Sequence, residues 1–196
     1  MKTVWMLCLA WLLGGSVVTA AVNPDVPQDK KTEKQLKKEQ KAQKKAAEEA
    51  EQRLLFEAAK LAIEKQDFVL EADRVEFKRG QFAYVTSNTN FVSLKDGKST
   101  VQLSFNGPAA GPNGLGGITV EGTATNIKTS TDKKGNINFS MTVQGIGISA
   151  SVTIRLTKDT NQCSATVLPN FNSNRVSFTG NLYPTEQSKV FKGRAL

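Results

Sequence analysis

The sequence predicts an all-β domain preceded by one α-helix. Between residues 68 and 183 apolar and polar residues alternate in short segments, the two-residue period of strands with one buried and one solvated face. Turn sequences separate these segments and no helical pattern lies between them, which is typical of an antiparallel meander. Such a meander closes as a sandwich or as an up-and-down barrel, and the sequence leaves both open.

The helix is expected in residues 30–66, which are rich in the helix formers Lys, Glu, Gln, Ala and Leu. Up to about Ala46 the segment has almost no apolar face, so it is either a solvent-exposed helix or disordered. Further along, apolar residues recur at i, i+3, i+4 and i+7, and this half should dock on the sheet. That predicted face consists of Leu54, Leu55, Ala58, Leu61 and Ala62.

The predicted strands are short and follow one another through tight turns. Asp96-Gly97 is a two-residue hairpin signature, because both positions need a positive φ. A second turn is expected at residues 132–135, and Gly122 marks a bulge or a close approach of two backbones. In chain order the predicted strands lie near residues 68–77, 83–86, 90–94, 100–105, 118–128, 137–143, 148–156, 163–168 and 176–182.

The clearest strand is the segment 148–156, which reads ISASVTIRL. Its polar residues should face water and its apolar residues the core. The predicted inward set is Ile148, Ala150, Val152, Ile154 and Leu156.

The first 20 residues read as a secretory signal peptide: Lys2 supplies the charged start, an apolar run follows, and Val18-Thr19-Ala20 supplies small residues for cleavage after Ala20. The apolar run is too short and too interrupted by glycine for a transmembrane helix. The expected product is periplasmic or secreted. The predicted organisation is therefore a signal peptide at 1–20, a charged lead at 21–53, and a β-domain with its docked helix at 54–196.

Composition narrows the possible chemistry. The 196 residues carry 26 Lys+Arg against 18 Asp+Glu, but the basic residues of the helical segment are interleaved with Glu, which argues against a nucleic-acid partner. The chain has no His, so the commonest general base and metal ligand is missing, and we expect no cofactor and no metal. After cleavage Cys163 is the single remaining cysteine. Its alternation with Ser164 and Thr166 places its sulfur in the core.

Two stretches are candidates for phosphate binding or catalysis. The Gly-rich run 105–117 is followed by a predicted strand, whereas phosphate-binding loops need a helix there. Glu71 and Asp73 are two residues apart and should both point to water, away from any shared catalytic cleft. No catalytic residue is predicted.

Asn residues crowd the predicted loops, several beside Phe. An amide next to an aromatic ring can grip a sugar, although Asn also suits turn geometry and Phe also fills cores. The candidate ligand-binding residues are Asn106, Asn113, Asn170, Phe171 and Asn172.

Seven segments together resemble one protein family. They are 68–73 (FVLEAD), 87–92 (SNTNFV), 105–108 (FNGP), 116–120 (GGITV), 143–149 (VQGIGIS), 169–175 (PNFNSNR) and 186–194 (EQSKVFKGR). The chain is similar in these to exported Bacteroidetes proteins that share DUF4251, a domain of unknown function. The resemblance implies an envelope or secreted location and assigns no activity and no residue role.

These observations predict an exported, non-enzymatic binding or structural module of the cell envelope, monomeric and without a transmembrane span. The expected partner is an envelope protein, a glycan or a small apolar ligand. One alternative is a carrier of an apolar ligand inside a barrel, which requires an internal cavity. The other is a glycan-handling enzyme, which requires two carboxylates facing one cleft.

Overall fold

A computed structural model describes residues 30–105, 116–146, 148–170 and 174–195. Within these residues one α-helix precedes nine strands. In chain order the elements are α1 (Lys30–Lys65), β1 (Phe68–Phe77), β2 (Phe82–Tyr84), β3 (Phe91–Lys95), β4 (Lys98–Leu103), β5 (Ile118–Thr131), β6 (Ile137–Gly145), β7 (Ile148–Leu156), β8 (Gln162–Pro169), β9 (Val176–Pro184) and a short 3-10 helix (Thr185–Gln187).

The sheet is a closed antiparallel barrel. Strands β3 to β9 each pair with the next along the chain, and β1 pairs with both β3 and β9. The register of the closing pair runs from Phe68 opposite Pro184 to Phe77 opposite Val176. Closure joins the first and last strands, so the up-and-down barrel is the alternative that the protein adopts.

Strands β2 and β3 share one edge of β1. β3 pairs with residues 68–71 of β1, and β2 pairs with residues 74–76. The two short strands are therefore halves of one interrupted neighbour. Eight strands close the barrel, and β2 is an additional short strand that pairs with the C-terminal end of β1.

The interior is filled by the inward side chains of the strands. In β7 the side chains of Ala150, Val152, Ile154 and Leu156 are buried while the residues between them are exposed, which confirms the predicted alternation. The side chain of Ile148 lies outside the described part of the protein. Phe68 and Phe139 meet edge to face with their ring centroids 5.3 Å apart, within one contiguous cluster of buried side chains.

The second half of α1 docks on this cluster, as expected, but through a differently phased face. The buried helix residues are Phe56, Ala59, Ala62 and Ile63. Leu54 and Leu61, expected to face the sheet, are 73% and 49% exposed. The alanines allow a close approach, so the large side chains of Phe56 and Ile63 fill the core in place of the leucines. Residues 33–51, all within α1, are exposed.

The predicted turns are confirmed in detail. Asp96 and Gly97 adopt φ values of 50° and 73° between β3 and β4. Gly122 is a site of close approach, because a Cβ there would lie 2.7 Å from the carbonyl carbon of Gln144. The bulge of β5 occurs later, between Thr125 and Lys128.

The last residues, 188–195, form a segment that we call the C-terminal strap, which crosses the outside of β1, β3, β4 and β5. Its anchor is Gln102, whose Nε2 donates to the Phe191 carbonyl at 2.8 Å and whose Oε1 accepts from the Gly193 N–H at 2.8 Å. Glu71 was expected to face water and instead accepts a 2.6 Å hydrogen bond from Ser188 Oγ. The local alternation around Glu71 could not indicate this contact, because Ser188 is distant from Glu71 in the sequence.

Cys163 lies in the core, as predicted, and burial raises the pKa of its thiol. Within the described residues, no helix combines the length and apolar composition needed to cross a bilayer.

Candidate ligand-binding face

A second outer face of the barrel is formed by β7, β8, β9, β1 and β2. The hydrogen bonds that hold the strap, to Gln102 and Glu71, lie outside this face. We call it the polar face. Two cross-strand rows define it, because directly paired residues point to the same side of a sheet. The first row is Thr153, Thr166, Ser177, Glu76 and Phe82, and the second is Arg155, Ser164, Thr179, Arg74 and Tyr84.

The polar face ends in an aromatic platform on β2. Phe82 and Tyr84 are 53% and 79% exposed, and their rings meet edge to face with centroids 5.8 Å apart. The Arg74 guanidinium lies 4.4 Å from the centroid of the Phe82 ring, and Arg74 Nη2 is 3.2 Å from Glu76 Oε2. Aromatic rings, a guanidinium and a carboxylate are thus held together on the surface.

A bulge in β1 sets this arrangement. The pairing of β1 with β9 shifts between Ala72 and Arg74, which leaves Asp73 as an extra residue. The shift reverses the alternation, so Arg74 and Glu76 face outward while Val75 is buried. Glu71 and Asp73 accordingly do not form the evenly spaced pair expected from the sequence.

The middle of the polar face carries hydroxyl groups. All four row positions on β8 and β9 are Ser or Thr, and Thr166 Oγ1 and Ser177 Oγ lie 3.3 Å apart. Each hydroxyl can donate one hydrogen bond and accept two.

An ion pair fixes the far end of the face. Arg155 Nη2 donates to Asp132 Oδ2 at 2.8 Å and Arg155 Nη1 to Asn138 Oδ1 at 3.2 Å. Hydrogen bonds from the Asn136 side chain, from the backbone N–H groups of Asn136 and Lys134, and from Arg155 lower the pKa of Asp132 to about 2. Asp132 therefore stays ionised at neutral pH and holds the guanidinium in place.

The face suits an elongated polar ligand that also presents apolar ring surfaces. Four inter-strand steps of about 4.8 Å give it a length of about 19 Å. Rings at one end offer stacking surfaces, and hydroxyls and charged groups along the rows offer donors and acceptors. Sugars have both properties, because their C–H faces are apolar and their hydroxyls are polar.

Of the five candidate residues that the sequence indicated, Asn170 is described. It follows β8 at the border of the polar face, where its Nδ2 donates to Ser149 Oγ at 2.7 Å and its Oδ1 accepts from Ser151 Oγ at 3.3 Å. Its amide thus holds neighbouring hydroxyls of β7. Asn106, Asn113, Phe171 and Asn172 lie outside the described residues, and their candidacy stays a prediction.

The aromatic platform was missed by sequence reasoning. Phe82 and Tyr84 are separated by Ala83, so their shared side was visible in the alternation. Large aromatics at such spacing usually face a core, and nothing in the sequence showed that Ala83 takes the inner side.

The carboxylates weighed for acid–base chemistry have separate surroundings. Glu71 binds the strap, Asp73 is exposed, and Glu76 pairs with Arg74. Lys192 Nζ donates to Glu121 Oε1 at 2.8 Å and, as the largest cause, lowers the pKa of Glu121. In the described part of the chain, no group of three or more Cys, Asp or Glu side chains is placed to hold a metal ion.

Comparisons with known proteins give a family and no activity. A model of the family described as "Domain of unknown function (DUF4251)" matches residues 50–182. The crystal structure of a DUF4251 family protein from Bacteroides eggerthii DSM 20697 is similar at 51% sequence identity, with a TM-score of 0.63, over 76% of this chain and 99% of that one. No curated protein matches the chain. The chain thus belongs to the DUF4251 family.

Proposed function

We propose that the protein is an exported, non-enzymatic binding module of the cell envelope, and that it binds a glycan along the polar face. The observation that carries this proposal is the aromatic platform. Two large rings stay exposed on a strand, beside an Arg–Glu pair and at the end of hydroxyl-bearing rows. Exposed aromatic groups rimmed by polar side chains mark binding surfaces.

A glycan fits this face better than a protein partner does. Protein interfaces of ordinary size bury roughly 800 Å² on each side around an apolar centre. Within the two rows the large exposed apolar side chains are Phe82 and Tyr84, and the paired positions beyond them are Glu, Arg, Ser and Thr. A ligand that needs two stacking surfaces and many hydrogen bonds matches that distribution.

The interior gives the carrier alternative no support. The inward side chains of the barrel and of α1 pack into one buried cluster that includes Phe68, Phe139 and Phe178. These groups occupy the space that an apolar ligand would need.

Export rests on the first 20 residues, which lie outside the described part of the protein, and on the location that the resemblance implies. The test is expression of the full chain in a Gram-negative host, followed by fractionation and N-terminal sequencing. We expect a periplasmic product that begins at Ala21. An uncleaved product that stays in the cytoplasm would contradict this part of the proposal.

The glycan-binding test is affinity electrophoresis of the purified protein through gels that contain soluble polysaccharides, neutral and acidic. We expect retardation by at least one of them. Tyr84→Ala should weaken the retained binding about tenfold, since a stacked ring contributes roughly 1 kcal/mol beyond its buried area.

Phe191→Ala is the matched control. Phe191 is also an exposed aromatic residue, at 61%, but belongs to the strap on the other outer face. Its loss should leave binding unchanged. If every polysaccharide fails to retard the protein, or if both variants weaken binding equally, the polar face is not a glycan site.

A further inference from the structure

A basic groove adjoins the aromatic platform. It has a volume of about 430 Å³ and lies between the β1–β2 turn and the start of β9. Phe77, Lys78, Arg79 and Gln81 line one side, and Asn174, Arg175 and Val176 line the other. Its volume falls in the range of about 300–1,000 Å³ that is usual for small-ligand sites.

The groove has one sign of charge. Of the described residues that line it, three are cationic and none is acidic. The side chains of Lys78, Arg79 and Arg175 are all exposed. Glu76, the next residue before the groove on β1, pairs with Arg74 at 3.2 Å and so has its own cation. Two guanidinium groups in one concavity favour a planar oxyanion, which they can bind through paired N–H donors.

The position of the groove links it to the polar face. Phe77 and Val176 line the groove and are paired with each other across β1 and β9. Glu76 and Ser177, also paired with each other, belong to the first row of the polar face. The groove thus begins one residue beyond that row, at the end of the two strands, where Phe77 and Val176 pack partly buried against the core.

We propose that this groove binds the anionic group of an acidic glycan, a carboxylate first of all, while the neighbouring sugars lie on the aromatic platform. The proposal names the chemistry of the glycan assigned to the polar face and so rests on that function. A membrane headgroup offers the same negative charge, but it would leave the platform and the hydroxyl rows without a role.

The test compares pectate with fully methyl-esterified pectin, two polymers with one backbone that differ in the free carboxylate. We expect the protein to bind pectate at least tenfold more tightly, with an affinity that falls as salt is raised, because exposed charges are screened. The double variant Arg79→Ser with Arg175→Ser should bind pectate about tenfold more weakly and esterified pectin as before.

The double variant Lys133→Ser with Lys134→Ser is the charge-matched control. Both lysines are exposed in the β5–β6 turn, at the opposite end of the barrel, and their loss should leave pectate binding unchanged. Equal weakening by the two double variants would mean a general effect of net charge and would overturn the proposal.

The outcomes also distinguish anion binding in the groove from glycan binding on the polar face. If Tyr84→Ala weakens binding but the arginine variant does not, the glycan face stands and the groove is not its anion site. If neither polymer binds, the groove proposal fails, and the glycan function fails with it when no polysaccharide in the affinity gels retards the protein. If vesicles of phosphatidylglycerol bind through the same arginines while both polymers do not, the anion belongs to a membrane and the glycan proposal is wrong.

Discussion

The two outer faces of this barrel are treated in opposite ways by the rest of the chain. One, across β1, β3, β4 and β5, is covered by the C-terminal strap. The other, across β7, β8, β9, β1 and β2, remains open and carries Phe82 and Tyr84 on its surface.

On the covered face one row of outward residues is buried or bonded to the strap. A cross-strand row runs from Glu71 through Phe91 and Gln102 to Thr119, and both Glu71 and Gln102 bind the strap. Gln102 is 0% exposed and makes four hydrogen bonds, two donated to the Thr89 and Phe191 carbonyls and two accepted from Thr119 Oγ1 and the Gly193 N–H. Buried polar groups need such partners, so this face serves stability.

The open face differs in what folding requires of it. The rings of Phe82 and Tyr84 stay largely in water, so they add little to the free energy of folding. The comparison teaches that polar surface under the strap is structural and that aromatic surface outside it is available to a ligand. The variants below separate these roles, in order of expected effect.

Removal of residues 188–196 should have the largest effect. It uncovers Phe91, which is 2% exposed, and takes away two partners of Gln102. We expect the free energy of unfolding to fall by about 4 kcal/mol. Urea denaturation measures this loss. A loss below about 1 kcal/mol would show that the strap is not a structural part of the barrel.

Gln102→Ala should cost about 3 kcal/mol, because it leaves buried partners of both amide atoms unsatisfied. Thr153→Ala, an exposed position in the first row of the polar face, is the control and should stay within about 0.5 kcal/mol. Equal unfolding midpoints of the two variants in urea would contradict the difference between the faces.

Asp132→Asn should change how stability depends on pH. The folded pKa of Asp132, about 2, is below its ordinary value of 3.8, so its ionised form stabilises the fold above pH 3.8. That contribution is lost as the pH falls through about 2. Thermal unfolding should therefore show a lower Tm for the variant at pH 7 and a shrinking difference below pH 3.8. A difference that is constant with pH would mean that Asp132 does not act through its charge.

Lys192→Met should have the smallest effect. The Lys192 ammonium lowers the pKa of Glu121, so its removal should raise that pKa towards the ordinary value, as carbon-detected NMR titration of the carboxyl would show. Because the pair is about half exposed, the stability lost at neutral pH should be well under 1 kcal/mol. An unchanged titration would place Lys192 away from Glu121 in solution.

The strands and turns could be predicted because their signals are local. The alternation in β7 and the Asp96-Gly97 dipeptide need no knowledge of distant residues. Barrel closure could not be predicted, since it depends on the register between β1 and β9, the first and last strands of the barrel. The predicted face of α1 was right at Ala62 and wrong at Leu54 and Leu61, because spacing alone does not rank these leucines against Phe56 and Ile63.

The candidate site was harder to predict for a related reason. Gln102 and Tyr84 both point outward from strands, yet Gln102 is buried and Tyr84 is 79% exposed, and this difference depends on where the chain end lies. The bulge at Asp73, which turns Arg74 and Glu76 outward, also has no signature in the sequence. The sequence predicted a sugar site made of Asn amides beside aromatic rings, but it did not indicate Phe82 and Tyr84, which form the aromatic platform.

The most direct test of the account is a map of amide chemical-shift changes in the protein when an acidic oligosaccharide, a short oligogalacturonide, is added. We predict that the changes concentrate at Arg74, Glu76, Phe82, Tyr84 and Ser177, while the amide signals of Gln102, under the strap, and of Gly193, in the strap, do not shift. Changes centred on the strap, or no changes at saturating oligosaccharide, would contradict it.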